Sequence, residues 1–168
     1  MEKKKLSSSM EDYLEAILVL TKKNGTVRVS DIAQLLSVRK SSVNAALEAL
    51  SKKKLVLHKR YGDVNFTKEG KVLARNVQRR HDMFVKFLNE ILDIDFKTAQ
   101  EDACKMEHVI SHQTFNKLTK FVEFLEACPD LDRPYCLQNF DYYYKTGRRR
   151  KCETGKMKTG NNQMRKKI

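Results

Sequence analysis

The chain has 168 residues and a formal net charge of +13, from 34 Lys and Arg against 21 Asp and Glu. That length suits one domain or two small ones with modest cores, and the basic excess points to a polyanionic partner, nucleic acid first. The N-terminus lacks the apolar core of a secretory signal, and the run Ala16 to Leu20 is too short to span a bilayer, so a cytoplasmic protein with no membrane partner is expected.

Ser7, Ser8 and Ser9 precede Met10, Tyr13, Leu14, Ile17, Leu18 and Leu20, spaced as an amphipathic helix with a serine cap, and Asn24-Gly25 stops it. Ser30-Asp31 then caps a short helix carrying Ile32, Ala33, Leu35 and Leu36. The turn Ser37-Val38-Arg39 leads to a helix from about Lys40 to Lys53, with Val43, Ala46, Leu47 and Leu50 inward. Two short helices joined by a tight turn make a helix-turn-helix. Residues 55–67 read as two strands around a Tyr61-Gly62-Asp63 turn, which completes a winged helix.

Thr67 caps a long helix predicted to run to about Leu92, with Leu73, Val77, Phe84, Phe87, Leu88 and Ile91 as core candidates. Asp93 to Asp95 breaks it. A helix over Thr98 to Ile110 follows, and another starts at Ser111 or Thr114 with Phe115, Leu118, Phe121, Val122 and Leu125 inward, ending at Cys128-Pro129. Beyond Pro134 no element is predicted, although Phe140 and Tyr142 to Tyr144 could pack on the body. From about Gly147 the chain reads as disordered and strongly basic, with Arg148, Arg149, Arg150 and Lys151 in succession. The expected division is a winged helix-turn-helix over 1–70, a helical domain over 71–140 and a basic tail over 141–168; the fold class is mainly α.

Four cysteines, Cys104, Cys128, Cys136 and Cys152, are too scattered for a disulfide framework, which leaves metal binding or inert burial. Cys104, Glu107 and His108 form a Cys-x-x-Glu-His pattern whose spacing puts a thiol, a carboxylate and an imidazole on one helix face. Such a mixed set suits a borderline divalent ion. The same pattern also fits a half-buried Cys beside a surface Glu-His pair. Asp12 and Glu15, three apart, share a helix face as well; alone they read equally as first-turn acids favoured by the helix dipole. His81, after Arg79-Arg80, reads alone as a solvated residue.

Four runs together carry a resemblance: residues 9–15 (Ser-Met-Glu-Asp-Tyr-Leu-Glu), residues 29–33 (Val-Ser-Asp-Ile-Ala), Arg80-His81, and residues 101–111 (Glu-Asp-Ala-Cys-Lys-Met-Glu-His-Val-Ile-Ser). Over about residues 7–127 the chain resembles the diphtheria toxin repressor family of metal-dependent bacterial transcriptional regulators, including its short members, the manganese transport regulators. The resemblance implies a winged-helix domain, then a helical dimerisation and metal-binding domain. It implies a homodimer that grips a palindromic operator on double-stranded DNA once Fe²⁺ or Mn²⁺ binds, one or two ions per subunit, and so a repressor of metal-homeostasis genes with no small organic substrate.

By the same resemblance the metal ligands are Asp12, Glu15, His81, Cys104, Glu107 and His108. Asp12 and Glu15 match the manganese branch and Cys104 the iron branch, so the set is a hybrid. Val85 and Gln100 stand where the iron branch carries ancillary ligands, and no SH3-like third domain is expected. With Cys104 as thiolate, the acids would bring about four negative charges together, which two divalent ions would roughly neutralise. The second helix of the helix-turn-helix should enter the major groove, placing Ser37, Arg39, Lys40, Ser41, Ser42 and Asn44 at the DNA and Lys59 and Arg60 at the wing tip. Two other readings of Cys104 stay open: a redox-sensing winged-helix regulator, and a metal-dependent hydrolase that would also use Glu107 and His108.

Overall fold

Helix α1, Ser8–Asn24, supplies the centre of the N-terminal core. The structure is a computed structural model that describes residues 6–58, 62–127 and 134–149. Ser7 holds the N-cap position through its carbonyl, which accepts from the backbone N–H groups of Met10 and Glu11; its side chain makes no cap bond. Gly25, at φ 76°, ends the helix in a conformation that a side chain would resist.

Helix α2, Val29–Leu35, starts earlier than the Ser30-Asp31 cap implies, because Asp31 acts from inside the first turn: its carboxylate accepts from the Arg28 backbone N–H at 3.1 Å. Val38 N–H then reaches back to the Ala33 carbonyl with Ser37 left-handed at φ 53°, a Schellman closure that sets the tight turn. Helix α3, Lys40–Lys52, buries Val43, Leu47 and Leu50. Leu14, Ile17, Ile32, Leu47 and Leu50 are all fully buried, each worth about 1.5–3 kcal/mol against exposure.

Strands β1, Val56–His58, and β2, Val64–Phe66, pair antiparallel with Leu57 opposite Asn65. Val64 N–H also donates to the Val27 carbonyl at 2.8 Å, tying the wing to the chain ahead of α2. Lys59, Arg60 and Tyr61, the expected wing tip, lie outside the described residues. Helix α4, Lys68–Lys86, is capped by Thr67, whose Oγ1 accepts from Gly70 N–H at 3.0 Å and donates to the Lys54 carbonyl at 2.8 Å. Gly70 lies so close to the residue before β1 that a Cβ there would overlap the Leu55 carbonyl oxygen.

The long helix does not reach Leu92 as a regular α-helix. Its last stretch, Phe87–Ile91, widens into a π-helical turn, with Leu92 N–H on the Phe87 carbonyl. Helix α5 is Phe96–Met106, capped by Asp95, so the predicted helix over Thr98 to Ile110 begins two residues early and stops four short. Glu107 and His108 therefore sit in the turn that follows it. Glu107 keeps helical dihedrals, φ −60° and ψ −27°, which preserves the helical spacing to Cys104. Helix α1 packs on α4, and α4 on α5.

The chain divides into two compact units, Met1–Glu123 and Phe124–Ile168, with the cut falling within helix α6, His112–Glu126. In the first unit Phe115 packs on Phe84 with ring centroids 6.1 Å apart. Ser111 Oγ accepts from Thr114 N–H and so starts α6. Of the expected inward residues Val122 and Leu125 are buried, but Phe121 is 47% exposed. The second unit holds a helix that the sequence reading lacked: α7, Tyr135–Thr146, which follows Pro134, ends at left-handed Gly147, and contains the start of the expected tail. Phe140 on it is 42% exposed. Cys128, Cys152 and residues 150–168 lie outside the described residues.

Candidate metal centre and nucleic-acid face

Helix α1 places Glu11, Asp12 and Glu15 toward α4 and the end of α5. Asp12, Cys104 and His108 offer one ligand atom each within 4.8 Å of one another, and Glu15, His81 and Glu107 do the same. All six residues named as ligands from the resemblance thus fall into two adjoining triads. The triads touch: Glu107 Oε2 lies 2.9 Å from His81 Nδ1, and its Oε1 lies 3.4 Å from His108 Nε2. Glu107 is completely buried.

Three atoms in this cluster are buried without a hydrogen-bond partner: Asp12 Oδ1, Glu107 Oε1 and His108 Nε2. Asp12 Oδ1 and His108 Nε2 approach to 2.8 Å, yet their alignment makes no hydrogen bond. Unpaired buried polar atoms cost free energy, and here three converge. Carboxylate, thiol and imidazole donors grouped in this way could hold a divalent cation.

The field of the cluster perturbs its members. Burial, reinforced by the charge of Glu107, raises the Glu15 carboxyl from 4.5 to about 7. The hydrogen bond with Glu107 raises His81. Burial alone would lower His108, but the Glu11 hydrogen bond and the charges of Asp12 and Glu107 outweigh it and raise the imidazole. Burial and the same acids push the Cys104 thiol up. All four groups therefore hold protons more tightly than in an unfolded chain.

The sign of the pH effect follows. A folded-state value above the unfolded one stabilises at low pH, and that contribution disappears as pH rises through the folded value. For Glu15 the loss runs between pH 4.5 and about 7. Discounted for its partial exposure, it amounts to about 1–2 kcal/mol. We expect the melting temperature of the chelator-treated protein to fall across that window, and the fall to be smaller in Glu15→Gln, with the part that His81 and His108 contribute above pH 6.5 remaining. Thermal melts with chelator at each pH check this.

Glu11 was not anticipated as a site residue. It is 8% exposed, and its Oε2 receives Arg80 Nη2 at 2.8 Å and His108 Nδ1 at 2.9 Å. The clue was in the spacing: Glu11, Leu14 and Leu18 lie on one stripe of α1, so an acid stands in line with core residues.

Lys40, Ser41 and Asn44 of α3 line a groove with Arg28, Ser30, Glu48, His58 and Gly62. Ser37, Arg39 and Ser42 are exposed but do not line it. Arg28, which caps α2 and reaches Asp63 at 3.9 Å, and His58 on β1 also line it; they come from outside α3, so the periodicity of that helix does not reveal them.

Two family models match: the iron-dependent repressor N-terminal DNA-binding domain over residues 5–64, and the iron-dependent repressor metal-binding and dimerisation domain over residues 67–134. The chain belongs to the iron-dependent repressor family. An HTH-type transcriptional regulator MntR of Bacillus pumilus is 33% identical over 118 residues, covering 70% of this chain and 81% of that protein. An uncharacterized HTH-type transcriptional regulator of Methanocaldococcus jannaschii is 34% identical, covering 70% of this chain and 95% of its own length. The crystal structure of T. acidophilum IdeR superposes with a TM-score of 0.61 at 23% identity, covering 73% of this chain; this chain spans 55% of that one, and the likeness is one of fold. As a member of the iron-dependent repressors the chain has a DNA-binding domain followed by a metal-binding and dimerisation domain, and it is a metal-dependent transcriptional regulator. The hydrolase reading falls with that assignment, since the curated relatives are transcriptional regulators. No helix among the described residues is long and apolar enough to cross a membrane.

Proposed function

We propose that this chain is a cytoplasmic, homodimeric repressor of metal-homeostasis genes. It grips a palindromic operator when Asp12, Glu15, His81, Cys104, Glu107 and His108 hold Fe²⁺ or Mn²⁺. The observation that carries this reading is the pair of adjoining triads with three buried, unpartnered atoms facing one another. Each triad suits one divalent ion, and Glu107, with one oxygen toward each imidazole, suits a shared carboxylate, so two ions per subunit are expected. Bound cations would supply the positive charge that lets Glu15 and Cys104 lose their protons.

Residues 1–70 would contact DNA, 71–140 would bind metal and dimerise, and 141–168 would add non-specific phosphate contacts. Lys40, Ser41 and Asn44, with Arg28 and His58 beside them, would face the major groove; Ser37, Arg39 and Ser42 would flank it, and Lys59 and Arg60 would follow the backbone. The acids Asp12 and Glu15 belong to the DNA-binding part, whereas Cys104, Glu107 and His108 follow α5. A cation held by both would fix the recognition helices of the dimer at the spacing of successive major grooves.

The raised Cys104 thiol argues against the redox reading, because a protonated thiol is a poor nucleophile. Cys104 instead tunes the metal. Replacing it with the harder carboxylate in Cys104→Asp should lower the preference for Fe²⁺ over Mn²⁺ by on the order of tenfold, and Cys104→Ala should weaken both. Competitive titration of the two ions under anaerobic conditions checks this. If Cys104→Ala binds both ions as the parent does, Cys104 is a packing residue and not a ligand.

A further inference from the structure

We propose that Glu11 is a positioning residue that fixes the tautomer and ring orientation of His108, and that Arg80 holds Glu11 in place to do so. The proposal rests on the metal-centre reading only for its consequence; the geometry stands without it. Glu11 Oε2 accepts from Arg80 Nη2 at 2.8 Å and lies 2.9 Å from His108 Nδ1. A carboxylate paired with a guanidinium has no proton to give, so Nδ1 of His108 is the donor. In its neutral form His108 then carries its proton on Nδ1 and a bare lone pair on Nε2. That lone pair points into the cluster, 2.8 Å from Asp12 Oδ1 and 3.4 Å from Glu107 Oε1, without a hydrogen bond to either.

The three residues come from three places, the first turn of α1, the middle of α4 and the turn after α5, at sequence separations of 69 and 97. Glu11 and the His108 side chain are nearly buried, at 8% and 9% exposure. Two long-range polar contacts converging on one buried oxygen lock the imidazole more firmly than packing alone, because each alternative rotamer would leave a buried donor unpaired. Arg80 Nε is itself buried without a hydrogen-bond partner among the described residues, so the ion pair of Nη2 with Glu11 is what orients the guanidinium toward α1. A carboxylate behind a ligating histidine sets which ring nitrogen faces the ion, and losing it typically weakens binding about 10- to 100-fold.

The test has two readouts on the full chain. The first needs no metal: nitrogen NMR shifts of His108 in chelator-treated protein at a pH where the imidazole is neutral. The parent should show the Nδ1–H tautomer; Glu11→Leu should shift His108 toward the Nε2–H form, and Glu11→Gln, which keeps an acceptor, should largely retain Nδ1–H. The second is Mn²⁺ affinity by calorimetry. Glu11→Leu should lose about 10- to 100-fold while Glu11→Gln recovers most of it, with thermal melts identifying any variant that fails to fold. An unchanged tautomer and unchanged Mn²⁺ affinity in folded Glu11→Leu would overturn the proposal. If the parent itself binds no Mn²⁺, the metal reading fails instead, and the tautomer still decides whether Glu11 sets His108.

Discussion

Glu107→Ala should abolish the metal response while leaving a folded chain. Glu107 is the fully buried carboxylate that faces both imidazoles, His81 at 2.9 Å and His108 at 3.4 Å. Its removal takes a carboxylate from the Glu15 triad and a neighbour from the Asp12 triad, so on the proposed reading we expect metal affinity to fall by on the order of 100-fold or more. Two effects oppose each other in the metal-free protein. His81 loses its hydrogen-bond partner, which destabilises by leaving a nearly buried ring nitrogen less satisfied. Glu15 loses the charge that, after burial, contributes most to raising its carboxyl to about 7, so its titration should move back toward 4.5. Calorimetric titration with Mn²⁺ reads the first effect and NMR titration of Glu15 the second. Metal affinity within threefold of the parent would remove Glu107 from the site.

Gly70→Ala should be the most damaging small substitution outside the metal centre. Alanine would ordinarily improve a helix interior by about 1 kcal/mol. Here its Cβ would overlap the Leu55 carbonyl oxygen and stand 2.7 Å from the carbonyl carbon, both backbone atoms that cannot rotate away. The first turn of α4 would have to move off Leu55, breaking the Thr67 bridge to Lys54 and Leu55. We expect a net loss of about 3 kcal/mol and a fall in melting temperature of roughly 6–12 °C. A melting temperature equal to the parent's would mean that α4 is not seated on the wing this closely.

Helical periodicity carried most of the fold, because α1, α3 and α4 bury regular apolar stripes and their ends carry recognisable stops. Its failures were local. The end of α5 was extended to Ile110 since nothing in the residues 107–110 (Glu-His-Val-Ile) breaks a helix, whereas Glu107 turns inward and the ladder closes there. The π turn at Phe87–Ile91 keeps Phe84, Leu88 and Ile91 buried, so its apolar spacing looks like an ordinary helix. Helix α7 was overlooked because its aromatics are largely exposed and give no inward stripe.

In the candidate site the grouping of Cys104, Glu107 and His108, and of Asp12 and Glu15, followed from spacing, while their union with His81 came only from the family resemblance. Glu11 escaped because its two partners are 69 and 97 residues away, a pairing that no local pattern encodes. Arg80 was visible beside His81 but gave no sign of facing back toward α1.

The most direct test of metal-gated repression is selection of the full chain against a pool of random duplexes, once with Mn²⁺ or Fe²⁺ under anaerobic conditions and once with chelator. With metal, a palindrome should emerge whose half-sites lie about one helical turn apart. Its affinity should drop by at least about 100-fold on chelation, as a change of that size is needed to switch occupancy. Enrichment of the same palindrome, bound with equal affinity, in metal and in chelator would contradict metal gating.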